Sequence, residues 1–124
     1  MRKAILILLM LPGICFAGMS ASELASVAQD VNKRVPMMVD NDTRLDKVVA
    51  KGGSQLVYHY TMVNYSYNQF DKKKFTDSFK GSLLKHTCSK LSRLISQGVE
   101  IVYSYKAKDG KFLTQVAVNK KKCG

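Results

Sequence analysis

Three cysteines, two histidines and a dense set of lysines are the side chains in this 124-residue chain best suited to chemistry. Thiols form bridges, ligate soft metals or act as nucleophiles. Cys123 stands one residue from the C-terminus, where a lone thiol would be exposed and easily oxidised. Cys88 lies in "KHTC" and Cys15 in "GICFA". A metal site drawn from the two distal thiols with His59 or His86 lacks any zinc-ligand spacing. His59 faces Asp46 in the expected strand pairing, which suits a base with its orienting carboxylate but reads first as a surface cross-strand pair. No nucleophile motif and no glycine-rich phosphate loop occurs. The residues therefore assign no catalytic group, no metal and no cofactor, and a small hydrolase stays only as an alternative reading.

Charge carries more information. The formal net charge is +11, with 20 lysines and arginines against 9 acids. Residues 18–71 hold 5 basic and 6 acidic side chains, whereas residues 72–124 hold 13 and 3. Such a field attracts acidic protein surfaces, lipid headgroups or nucleic acid, or simply keeps the protein soluble. Lys72, Lys73, Lys74, Lys80, Lys85, Lys90 and Arg93 cluster in sequence and form the candidate binding set.

The compartment follows from the N-terminus. "MRKAILILLMLPGICFAG" has a basic start, an apolar run and small residues at the last and third-last positions before a cut after Ala17. That is the anatomy of a secretory signal peptide. The apolar run is short for a membrane span, which needs about 20 residues. Ile14 occupies the place where a lipobox ahead of Cys15 needs a small residue. The expected arrangement is a removed signal peptide, 1–17, and one small domain, 18–124, periplasmic or secreted and without a stable transmembrane segment. Cleavage leaves Cys88 and Cys123, and two cysteines in an oxidising compartment read as one disulfide. It would close a loop 35 residues apart in sequence, worth about 4 kcal/mol in the chain-entropy picture.

The elements that position these residues can be read in turn. Ser20 and Glu23 fit a capping box, and Leu24, Val27, Ala28 and Val31 follow a helical stripe that Val35-Pro36 ends. "MMVDNDT" (37–43) reads as a connector. Leu45–Lys51, a two-residue Gly52-Gly53 turn and Gln55–Val63 form a hairpin pairing Val49 with Leu56, Lys47 with Tyr58 and Leu45 with Tyr60. This puts Leu56, Tyr58, Tyr60 and Met62 on one face. Tyr65–Lys74 reads as a surface loop. Helical spacing then runs from Phe75 to Ile95, with Cys88 on the apolar stripe, Gly81 as a weak point and Gly98 just past the end. Val99–Ala107 and Phe112–Val118 make a second hairpin about Asp109-Gly110, pairing Tyr105 with Thr114, Tyr103 with Val116 and Ile101 with Val118. The expected fold is α+β: helix–hairpin–helix–hairpin, one four-stranded antiparallel sheet, two helices on one face and one disulfide.

The string "VNKRVPMMVDNDTRLDKVVAKGGSQLVYHYTM", a lone cysteine on a helix, "GVEIVYSY", "DG" and a terminal cysteine together resemble small exported α/β proteins of Gram-negative bacteria. The layout is similar to that of the beta-class pilotin of type II secretion. Those pilotins are lipoproteins that chaperone an outer-membrane secretin. The resemblance implies the fold, an export route and a protein partner from the envelope or the secretions. The function expected is a non-enzymatic protein-binding accessory module connected with secretion. A cationic protein that binds an anionic envelope surface or nucleic acid is the alternative.

Overall fold

The computed structural model describes residues 19–124. The expected signal peptide and its cleavage site lie outside the described residues. Helix α1 spans Ala21–Asn32. Its capping box is present: the Glu23 N–H donates to Ser20 Oγ, and the Ser20 N–H donates to Glu23 Oε1. Leu24 and Ala28 are buried on its inner stripe. Asn32 closes the helix against the sheet, because its side chain donates to the Val48 carbonyl and accepts from the Val48 N–H, both at 2.8 Å.

Five strands follow: β1 (Met37–Met38), β2 (Thr43–Lys51), β3 (Gln55–Met62), β4 (Glu100–Ala107) and β5 (Phe112–Val118). Helix α2 (Lys72–Lys90), the short α3 (Ser92–Ser96) and α4 (Lys120–Cys123), with a 3-10 turn at Tyr67–Gln69, complete the elements, so the described residues form four α-helices where two were expected. The sheet order is β1-β2-β3-β4-β5. The α+β class, the helix–hairpin–helix–hairpin order and the disulfide agree with the sequence reading.

The sheet corrects that reading in two ways. It has five strands, because Met37 and Met38 pair with Leu45 and Arg44. It is also mixed, because β3 and β4 run parallel from Gln55↔Glu100 to Met62↔Ala107. The chain leaves the end of β3, returns through α2 and starts β4 at the opposite end of the sheet. Such a helical crossover joins parallel neighbours.

The first hairpin is one residue out of the expected register. Its loop is Gly52-Gly53-Ser54, so Ala50 pairs with Leu56, Val49 with Val57 and Lys47 with His59. A bulge at Asp46 absorbs the slip and restores Leu45↔Tyr60. A Cβ at Gly53 would collide with the Met19 carbonyl, so this glycine admits the start of the domain against the turn. The second hairpin has the expected pairs Ile101↔Val118, Tyr103↔Val116 and Tyr105↔Thr114.

Helix α2 starts at Lys72 behind an Asp71 cap that accepts from the Lys74 N–H. It runs unbroken through Gly81, and the break falls at Leu91, between α2 and α3. Gly98 then turns the chain with a φ of +88°, a conformation glycine adopts without a Cβ penalty. Leu24, Leu56, Ile95, Val99, Ile101 and Val118 are all nearly or wholly shielded from water. The core lies between the sheet and the helices, with α1 packed on β2 and α2 on β5. Cys88 and Cys123 are joined, with their Cα atoms 5.5 Å apart, which ties α4 to α2.

Candidate functional site

Four tyrosines form the floor between the helices. Tyr58 and Tyr60 come from β3, and Tyr103 and Tyr105 come from β4, each pair two residues apart. Parallel pairing brings Tyr58 beside Tyr103 and Tyr60 beside Tyr105. The Tyr60 and Tyr105 rings stack at 4.9 Å, and Phe79 and Phe75 of α2 reach Tyr105 at 4.8 and 5.8 Å. Aromatic contacts of this kind add about 0.5–1.5 kcal/mol each beyond area burial. Burial pushes the Tyr60 and Tyr105 phenols up, and for Tyr105 neighbouring Tyr103 and Asp40 act in the same sense. These phenols stay protonated at neutral pH and offer a hydrogen bond, not a base.

Above the Tyr60 and Tyr105 end of this floor, beside Met62, lies an open groove of about 600 Å³. One wall is α2. Phe75, Phe79 and Leu83 form its lower course, and Ser78, Ser82 and His86 form a polar course beside it, each set at i, i+4, i+8. The other wall is the segment Val39–Thr43. Asp40 stiffens that segment by accepting from the N–H groups of Asp42 and Thr43 at 2.9 and 2.8 Å. Asn64 holds it from outside, donating to the Asn41 carbonyl and to Asp42 Oδ1. The groove is therefore built from fixed elements. Sequence reasoning set the binding site near α2 but named its lysines and none of the residues of either wall. The i, i+4, i+8 hydroxyl–histidine course beside the phenylalanines was the available signal for the first; nothing local marks the second.

The candidate lysines surround α2 instead of forming one face, as their spacing requires at about 100° per residue. Lys73 and Lys80 both reach Asp77, at 2.8 and 3.7 Å. The Lys72 ammonium lies over the Tyr67 ring at 5.2 Å. Lys74 and Lys85 are exposed and, at about 100° per residue, fall next to Ser78 and Ser82 around α2, while neither lines the groove itself. Lys90 ends α2, and Arg93 belongs to α3.

The expected His59–Asp46 opposition is not formed. Asp46 sits in the bulge, where Oδ1 accepts from Arg44 Nε at 2.6 Å and Oδ2 from Thr61 Oγ1 at 2.5 Å. His59 pairs with Lys47 instead. Partial burial, then Lys47, Lys51 and Lys106, depress its pKa. Among the described residues no group of three or more histidines, cysteines and acids is placed to hold a metal ion. None of the described helices is long and apolar enough to cross a membrane.

No protein-family profile and no curated protein matches the chain. Solved structures do. A Pseudomonas aeruginosa protein described as secreted superposes with a TM-score of 0.71 at 18% identity, covering 84% of this chain and 92% of its own. The EpsS pilotin of the Vibrio vulnificus type 2 secretion system gives 0.68 at 8% identity, covering 84% and 91%. The AspS pilotin of the Vibrio cholerae type II system gives 0.62 at 13% identity, covering 83% and 91%. At these identities the likeness is one of fold, and in its fold this chain is similar to the pilotins and to the secreted Pseudomonas protein.

Proposed function

We propose that this protein is a non-enzymatic accessory module of the bacterial envelope or its secretions, and that it holds a segment of a partner protein in the groove between α2 and the Val39–Thr43 wall. The carrying observation is the groove itself: aromatic floor, fixed walls and phenols held protonated. Its chemistry supports binding rather than turnover. The pilotin-like fold supports a connection with secretion, since two of the similar structures are pilotins of that system. The exported location rests on the signal-peptide pattern of residues 1–17. In this reading Lys74 and Lys85 form one rim of the groove, and Asp40 and Asp42 belong to the other wall, so the partner segment carries both charges about an apolar centre. Lys72, Lys73, Lys80, Lys90 and Arg93 add long-range attraction, which acts on association rate and salt sensitivity.

Ser82 is exposed on the groove wall, so Ser82→Trp fills the groove without disturbing the core. Capture of partners from the envelope fraction, with Gln29→Trp on the outer side of α1 as control, tests the proposal. The expected result is a partner retained by the wild-type and control proteins and weakened at least about tenfold by Ser82→Trp, at unchanged melting temperature. Equal retention by all three proteins would refute the groove as the site.

A further inference from the structure

The end of the molecule where β4 turns into β5 exposes aromatic rings among cations. Phe112 is 57% exposed and Tyr65 is 39% exposed. Phe112 is paired with Lys106 across the hairpin. Lys106, Lys108 and Lys111 are all exposed, and none makes an ion pair among the described residues. The one acid of the turn, Asp109, is engaged by the Tyr67 N–H at 3.3 Å. The Lys108 N–H donates to the Tyr65 carbonyl at 2.8 Å, which straps the Tyr65 segment to the turn. Lys111 and Lys72 both lie over the Tyr67 ring, at 5.7 and 5.2 Å from its centre. The tip is thus strapped down, cationic and capped by an apolar ring that packing leaves largely exposed.

We infer that this hairpin tip docks on an anionic lipid bilayer, with the Phe112 ring in the headgroup region and Lys106, Lys108 and Lys111 over lipid phosphates. Aromatic rings settle at membrane–water interfaces, and lysines near an anionic leaflet add attraction that salt screens. Single-stranded nucleic acid is the poorer fit, because sheet-face readers stack successive bases on several exposed rings, and Tyr58, Tyr60, Tyr103 and Tyr105 all face the helices. The tip lies at the pole opposite to Met19. Strand β3 begins beside the Gly53 turn that Met19 touches and ends at Met62, next to Ala107, roughly 25 Å away at a strand rise of about 3.3 Å per residue. Lipid contact there does not depend on an N-terminal anchor, and it stands or falls separately from the groove.

The chain has no tryptophan, so Phe112→Trp places a single fluorophore at the tip. The exported Phe112→Trp protein is mixed with vesicles of phosphatidylglycerol and phosphatidylcholine, and with vesicles of phosphatidylcholine alone, at low and high salt. The expected result is a blue shift of its indole emission with anionic vesicles only, reversed by salt, while the Gln29→Trp variant reports no shift. Flotation of the triple Lys106, Lys108, Lys111→Ser variant is expected to show binding weakened on the order of 100-fold, about fivefold per lysine. Phe112→Ser is expected to lose about tenfold while its melting temperature stays unchanged. An unshifted emission from the Phe112→Trp protein with anionic vesicles, or flotation indifferent to the three lysines, would overturn the inference. A shift with single-stranded oligonucleotide and none with vesicles would overturn it in favour of nucleic acid.

Discussion

Thr87 and Tyr103 show how single side chains lock the helix layer to the sheet. Both are buried, and their hydroxyls meet at 2.6 Å. A buried hydroxyl left without a partner costs about 1–3 kcal/mol, while replacing both partners by apolar groups is close to neutral. Thr87→Val is therefore expected to destabilise by about 1–3 kcal/mol in urea unfolding, and adding Tyr103→Phe is expected to recover most of that loss. Additive losses in the double variant would show that the two hydroxyls do not depend on each other. The face on which Tyr103 lies was legible, because alternation with Ile101 and Tyr105 is unbroken along β4. The surroundings of His59 were not. Asp46 shares the β2 strand with Lys47, and the three-residue loop sets Lys47 opposite His59, with the bulge at Asp46 taking up the slip beyond it. A bulge is set by loop length and packing together, and neither residue announces it.

The elements differ in how far local sequence determines them. α1 was readable to its cap, because Ser20 and Glu23 satisfy each other's backbone within one turn. The β4–β5 register was readable, because Asp109-Gly110 and the apolar parity of both strands agree. The β2–β3 register was not, since Gly52-Gly53-Ser54 offers a two- or a three-residue loop and the three-residue one is used. β1 is two residues long, too short to show a period. Parallel pairing of β3 with β4 depends on where α2 crosses, which no short stretch encodes. α4 depends on Asn119, whose Oδ1 accepts from the Lys122 N–H, and on the bond from Cys123 to Cys88. Removing that bond frees a loop between residues 35 apart, and the loss of a native bridge in a small exported domain costs about 2–5 kcal/mol. Cys123→Ser is expected to lower stability by that amount, measured by denaturant unfolding, and a reducing agent is expected to bring the wild type down to the variant. A wild-type protein that unfolds identically with and without reductant would refute a bridge that stabilises the fold.

At the scale of the whole molecule, the poles and the sheet faces have different tasks. The start of the domain packs at one pole, with the Met19 backbone against Gly53 and Ser20 capping α1. The cationic hairpin tip lies at the other, and the groove opens between α2 and the β1–β2 segment. Lys47, Lys51 and Lys106 act together on His59 from the side of the sheet that carries no helix, so positive charge also spreads over that face. This distribution bears on how the N-terminus is processed. A cut after Ala17 would keep Met19 and Ser20, which pack against Gly53 and cap α1. Cys15 and Ala17 supply the small residues at the third-last and last positions before that cut. We therefore expect protein recovered after export to begin at Gly18, with one intramolecular disulfide and no acyl group. Intact mass on the exported fraction decides this, before and after reduction. Mass corresponding to residues 18–124, less two hydrogens until reduction, is the expected result. A retained N-terminus would show an uncleaved apolar run, and acyl mass on Cys15 would make the protein a lipoprotein. Either finding would refute release after Ala17.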